Sequence, residues 1–255
     1  MSEAKGVNEM NNPFYHLDTV GVLALSFAPG VFWLWFFYRR DRLEPEPKSL
    51  VIKMFFLGMA LVLPAIALER PFSGRTILLL VFAAPVIEEA LKFAAVRLTI
   101  YRHREFDEPM DGIVYAVAVA LGFASLENAY FILTSYLAPQ LALEYSNPVW
   151  AFGMVWKLYL IRAFLTVPGH ALWSALWGYA LGLAKMKMVP NGRVAAAKGL
   201  ALSWVLHGLF NMMLLNFPPG AVGMLVLVPV MWLLVHRRIK AAIAQSPHGE
   251  HHTEE

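Results

Sequence analysis

Seven residues with acid–base or hydrogen-bonding side chains stand inside long apolar runs of this chain, and their types suit the activation of water. Glu88, Glu89 and Lys92 interrupt the stretch from Thr76 to Leu98, Glu127 lies in 112–137, His170 in 159–184, and His207 with Asn211 in 199–216. A buried carboxylate beside a like-charged neighbour can act as a general base. Imidazole and amide groups can donate to a developing oxyanion. A charge at bilayer depth costs at least ~2.5–3.5 kcal/mol on insertion scales, so intramembrane ionisable groups mark function by default.

Spacing orders these groups further. On a helix Lys92 lies four residues from Glu88 and three from Glu89, within reach of both. The two glutamates diverge by ~100°, so one of them aims at any given centre. His207 and Asn211 share a face. Pro85 and Pro168-Gly169 precede Glu88 and His170 closely, and should loosen the helices there, freeing carbonyls beside a polar cavity. At 1.5 Å per residue Glu88 and His170 lie ~18 and ~17 Å from one end of their spans, and His207 ~12 Å from the other, near one plane of a ~30 Å core.

The elements that position these groups are transmembrane helices. Of 255 residues 58% are hydrophobic and 15% charged, far from the ~25% charged residues of a soluble domain. Seven apolar segments are expected, at about 20–38, 51–68, 76–98, 112–137, 159–184, 199–216 and 221–236. The fold class is all-α, a polytopic transmembrane bundle of about seven spans. Strict strand alternation is absent and open strands are untenable in lipid. Of the 21 Lys and Arg, fifteen fall on one side of alternating spans and five on the other, with Lys92 inside one. The positive-inside rule then places the N-terminus outside and the C-terminus inside. Residues 1–19 read as a polar N-terminal segment, 20–240 as a single transmembrane domain with core motifs at 40–215, and 241–255 as a disordered tail. The longest outer loop, from Ala138 to Lys157, carries Pro139, Pro148 and Trp150.

Several chemistries drop out. There is no cysteine, which removes disulfides, thiolate nucleophiles and Cys-ligated zinc. No Gly-x-Ser-Gly turn of a rhomboid-type serine protease is present. No aspartate lies deep in a span, as a presenilin-like enzyme requires, and no His-Glu-x-x-His motif occurs. The net charge of +3 is spread in clusters between spans, a topological pattern rather than a nucleic-acid face.

The chain resembles the PrsW family of intramembrane proteases, related to the superfamily of CAAX prenyl endopeptidases. The matching pieces are Asp41-Arg42-Leu43-Glu44-Pro45-Glu46-Pro47, Glu88-Glu89-x-x-Lys92, Asp111-Gly112 leading to Phe123-x-x-x-Glu127-Asn128, Gly169-His170 through Gly178, and His207 to Asn211. The resemblance implies a multi-pass protein of a bacterial inner or plasma membrane that cleaves single-span membrane proteins, such as an anti-sigma factor. Its partners are that substrate and the bilayer, with no nucleic acid. It implies that Glu88 or Glu89 acts with Glu127 on water, that His170 assists, and that His207 and Asn211 stabilise the oxyanion. Lys92, Phe123 and Asn128 support them. The cofactor is either none or a divalent metal such as zinc, which Glu89, Glu127, His170 and His207 would hold. The prenyl endopeptidases look metal-independent, which tips the resemblance toward a metal-free glutamate mechanism. Two other functions use the same inventory. A proton- or cation-coupled transporter would relay charge through the buried Glu and His residues, whereas a non-catalytic scaffold needs no convergence of them.

Overall fold

The computed structural model describes residues 19–137, 156–216 and 218–252. The N-terminal segment and nearly all of the Ala138–Lys157 loop lie outside these residues. Eight α-helices are described: α1 Thr19–Tyr38, α2 Lys48–Ala60, α3 Val62–Glu69, α4 Ala84–Leu98, α5 Pro109–Leu137, α6 Val167–Lys185, α7 Gly192–Leu215 and α8 Gly220–Ala244. Helices α2 and α3 are joined end to end through Leu61. Short π-helical segments, Leu78–Ala83 and Arg162–Thr166, run directly into α4 and α6. Merged in this way the pieces make seven helical rods, in keeping with the seven apolar segments.

Four rods, Lys48–Phe72, Pro109–Ser135, Gly192–Leu215 and Gly220–Ala244, are long and apolar enough to cross a membrane, and Leu23–Tyr38 is a shorter apolar helix. Burial divides them into layers. The most apolar part of α5 is 72% buried, against 22–33% for the other three long rods. Helix α6 is buried continuously from Val167 to Gly182. The centre is therefore α5 packed on α6, with α1, α2, α4, α7 and α8 around them. The outward faces carry exposed apolar side chains such as Phe32, Phe56, Leu63, Val222 and Leu225. An apolar surface of this extent belongs against lipid, since soluble monomers rarely expose patches beyond a few hundred Å².

Small residues allow the central pair to meet. A Cβ on Gly112 of α5 would lie 2.2 Å from the Gly178 carbonyl oxygen of α6, and one on Gly178 would lie 2.4 Å from the Gly112 carbonyl oxygen. Backbone touches backbone here, the close approach that small residues permit between membrane helices. Gly112→Val should separate α5 from α6 and exceed the ~1–3 kcal/mol that overpacking usually costs. The expected result is a large fall in thermal midpoint and in monodisperse yield, read by detergent-phase unfolding and size exclusion.

The Arg39–Pro47 turn packs its acidic groups inward. Asp41 Oδ2 accepts from the Glu46 backbone N–H at 3.1 Å, and Tyr115 of α5 donates to Glu46 Oε2. Burial pushes the Asp41 carboxyl up to about 7 and the Glu46 carboxyl up to about 10. Asp41 Oδ1 is buried without a hydrogen-bond partner. The folded chain thus holds protons that the unfolded chain releases above pH ~4, and linkage then makes stability fall as pH rises. For Asp41 the loss runs from its ordinary value of 3.8 up to about 7. Asp41→Asn keeps an acceptor for Glu46 but cannot ionise. Thermal midpoints measured at several pH values should fall less between pH 4 and 7 in this variant than in the wild type.

Beyond residue 240 the chain continues as helix to Ala244 and then as a 3-10 turn over Pro247–His252. His248 Nε2 lies 3.1 Å from Asp107 Oδ1, an ion pair that seats this turn where the sequence alone suggests a loose tail.

Candidate active site

Both helices that carry the central residues begin in the same way. A π segment runs into an α-helix whose first turn contains a proline, Pro85 in α4 and Pro168 in α6. Proline has no N–H to give to a preceding carbonyl, so the turn before it widens. Side chains from neighbouring helices take carbonyls of these wide turns. Asn211 Nδ2 donates to Leu80 O at 2.9 Å, and Trp33 Nε1 donates to Ala163 O at 3.0 Å. The expected loosening near Pro85 and Pro168 is present, and each wide turn sits just ahead of a site residue, Glu88 or His170.

Lys92 stands at the middle, fully buried. Its Nζ lies 3.1 Å from Glu88 Oε2, 2.8 Å from Glu89 Oε1 and 2.9 Å from His170 Nδ1. An ammonium has three donors and no acceptor, and here all three are used. His170 Nδ1 must then accept, which puts the proton of the neutral ring on Nε2, 3.4 Å from Glu127 Oε2. The Phe123 ring lies 4.3 Å from the ammonium and completes its surroundings.

The two adjacent glutamates have different tasks. Glu89 turns toward α6, where its Oε2 accepts from Ser174 Oγ at 2.6 Å and Trp177 Nε1 at 2.9 Å. With Lys92 on Oε1, both of its oxygens are engaged and the residue is wholly buried. Glu88, rotated about 100° around α4, uses only Oε2 for Lys92 among the described residues and retains slight exposure. Glu127 is the most open of the group, its side chain 23% exposed, and is held by Arg162 Nη2 at 2.8 Å.

Donor atoms of Glu88, His170 and His207 all lie within 4.8 Å of one another. His207 is stacked on Trp173, with ring centroids 4.2 Å apart and an interplanar angle of 14°. His207 Nδ1 and Trp173 Nε1 are both buried without hydrogen-bond partners in the structure. The structure therefore brings Glu88, His170, His207 and Lys92 together, with Glu127 one contact away through His170. Glu89 faces the back of the pocket, and the Asn211 amide is spent on Leu80. Asn128 joins the rim, accepting from Arg162 Nε at 3.0 Å and donating to Ser26 O at 2.6 Å.

Sequence reasoning missed Arg162, which it counts among the outer-side basic residues, although the side chain is buried against Glu127 and Asn128. A signal was present: Glu127 is a carboxylate inside a span with no basic partner on its own helix. Ser174 and Trp177 were also missed, and nothing in their spacing distinguishes them from packing residues.

Comparisons with known proteins point to one family. The chain matches the family described as PrsW family intramembrane metalloprotease over residues 46–234. It is 32% identical over 226 residues to Protease PrsW of Geobacillus kaustophilus, covering 87% of this chain and 92% of that one. It is 31% identical over 228 residues to Protease PrsW of Oceanobacillus iheyensis, covering 88% and 96% of the two chains. For Protease PrsW of Bacillus subtilis the identity is 30% over 230 residues, with 87% and 95% covered. No solved structure matches the chain.

Proposed function

The chain belongs to the PrsW family and is an intramembrane protease; from that premise we propose that Glu88, His170 and His207 form the hydrolytic centre and that its substrates are single-span membrane proteins, an anti-sigma factor among them. The observation that carries this reading is the convergence of those three side chains from α4, α6 and α7 on one buried point.

Glu88 takes a proton from the attacking water as its oxygen adds to the scissile carbonyl, and returns that proton to the departing amine. His207, clamped by Trp173 and with Nδ1 unspent, donates to the oxyanion that forms. Glu127 fixes the tautomer and orientation of His170, and Arg162 fixes Glu127. Glu89 anchors the Lys92 ammonium, which compensates the carboxylates before substrate arrives.

The donor set also fits a metal. Two imidazoles and one carboxylate are a combination found at catalytic zinc, and His207 Nδ1 is buried and unpartnered. Glu88, His170 and His207 would hold the ion, His170 giving up either its Nδ1 contact with Lys92 or its Nε2 proton to do so; the ion would supply Lewis acidity and a more acidic water. Relative to the set expected from sequence, Glu88 stands in the donor cluster and Glu89 and Glu127 do not: Glu89 has both oxygens on Lys92, Ser174 and Trp177, and Glu127 has Oε2 on Arg162.

Co-reconstitution of the purified chain in liposomes with a single-span substrate tests the function. Cleavage within the substrate's membrane segment is expected. Dissipation of a pH gradient without cleavage would instead identify a proton-relaying transporter. Chelation should leave the fold intact, because Lys92 already compensates Glu88 and Glu89. An unchanged thermal midpoint after dialysis against a strong chelator is the expected result. In the same sample, cleavage that survives would assign the chemistry to the side chains alone, and cleavage restored only by zinc would assign it to the metal.

A further inference from the structure

At the end of the bundle where α1 closes, a cleft of about 310 Å³ opens between α1 and α8, lined by Phe36, Phe37, Arg40, Trp232, His236 and Ile239 among others. A second, of about 450 Å³, adjoins it through Phe36 and Arg40 and adds Trp35, Arg39 and Arg42. Together they have the polarity of an amphiphile. Trp232 stacks on Phe37 at 5.9 Å and meets Phe36 edge-on at 5.8 Å, making an aromatic wall. Arg40 lies just past the end of α1 at Tyr38, and His236 follows Trp232 by one turn of α8, so both polar side chains come further along the chain than the aromatic wall.

Arg40 lies over the Phe36 ring at 4.1 Å and Arg39 over Trp35 at 5.4 Å. None of Arg39, Arg40 and Arg42 is in an ion pair among the described residues. The nearby carboxylate of Asp41 is turned inward to the Glu46 backbone. Scattered loop lysines would satisfy membrane topology alone; three arginines with no ion-pair partner among the described residues, set on an aromatic cleft at the head of an apolar groove, are a more specific arrangement. Arginine forks pair with phosphate oxygens, and basic pockets between transmembrane helices hold anionic lipid headgroups.

We propose that this cleft binds an anionic phospholipid, its phosphate held by Arg40 with Arg39 and Arg42 and its acyl chain laid against Phe36, Trp232 and the exposed Leu233. The lipid would fasten α1 to α8, two helices on the outside of the central α5–α6 pair.

The test uses the full chain in a neutral detergent. Mixed micelles containing phosphatidylglycerol should raise the thermal midpoint, and phosphatidylcholine should not. Replacing Arg39, Arg40 and Arg42 by Gln should remove the shift, the apparent affinity falling about fivefold for each arginine lost. Arg193→Gln with Lys198→Gln, which removes two exposed basic residues at the start of α7, should retain the shift. Native mass spectrometry of the wild-type chain should show phosphatidylglycerol retained over phosphatidylcholine, a readout independent of whether the triple variant folds. An equal shift with inorganic phosphate alone would assign the site to a free anion and overturn the lipid reading. So would equal loss in the Arg193/Lys198 variant, or no preference between the two lipids.

Discussion

Glu88→Gln is expected to lower substrate cleavage about 10²–10⁴-fold, the usual contribution of a positioned general base, with little change in thermal midpoint. The reasoning rests on what the amide keeps and loses. Its oxygen still accepts from Lys92 Nζ, at the position where Glu88 Oε2 now lies 3.1 Å away, and Glu89 still compensates the ammonium. It cannot take a proton from water. Glu127→Gln should cost less, because Glu127 reaches the centre through His170, 3.4 Å away, and the amide oxygen can still accept from the ring. Rates of cleavage in liposomes for both variants, with thermal midpoints alongside, give the comparison. Near-wild-type cleavage by Glu88→Gln beside loss in a folded Glu89→Gln would transfer the base to Glu89.

How much of this arrangement could be read before any coordinates existed depends on the range of the interaction concerned. The helical rods were legible because apolar runs are long and bounded by Arg39–Pro47, Arg102–Arg104 and Lys185–Arg193, and lipid leaves the backbone few alternatives. The candidate residues stood out in the sequence because each ionisable group in a span is costly. The wide turns were partly legible, since Pro85 and Pro168 cannot close ordinary helical hydrogen bonds. Rotation was not. Whether Glu88 or Glu89 faces the pocket depends on which side of α4 meets Ser174 and Trp177, a relation between distant segments with no local signature. Asn211 shares a helical face with His207, yet its amide goes to Leu80 because a π turn in another rod leaves a carbonyl within reach. Arg162 shows a further limit: a basic residue near the end of an apolar run reads as interfacial unless the depth of Glu127 is already known.

The largest effect on stability should come from Lys92. Its ammonium is fully buried, and it is the cation that both Glu88 and Glu89 contact. Lys92→Met keeps most of the side-chain length but strands two buried carboxylates without their cation. Removing one partner from a buried ion pair costs about 3–5 kcal/mol, and here two anions lose their compensation at once. The variant should be recovered poorly, with a strongly lowered thermal midpoint. A second substitution separates charge from packing. Glu89→Gln alone should also destabilise, since Glu89 Oε2 accepts from Ser174 and Trp177 and a neutral amide is the weaker acceptor. In the double variant Glu89→Gln/Lys92→Met, however, one stranded charge is gone, so the combined loss should be smaller than the sum of the single losses. A thermodynamic cycle on the two positions measures that difference directly. Strict additivity would mean that the 2.8 Å Lys92–Glu89 contact carries no coupling, and the ammonium would then have to be held chiefly by Glu88 and His170. Strong coupling would assign Glu89 the task of fixing the cation, which leaves Glu88 available to handle the proton.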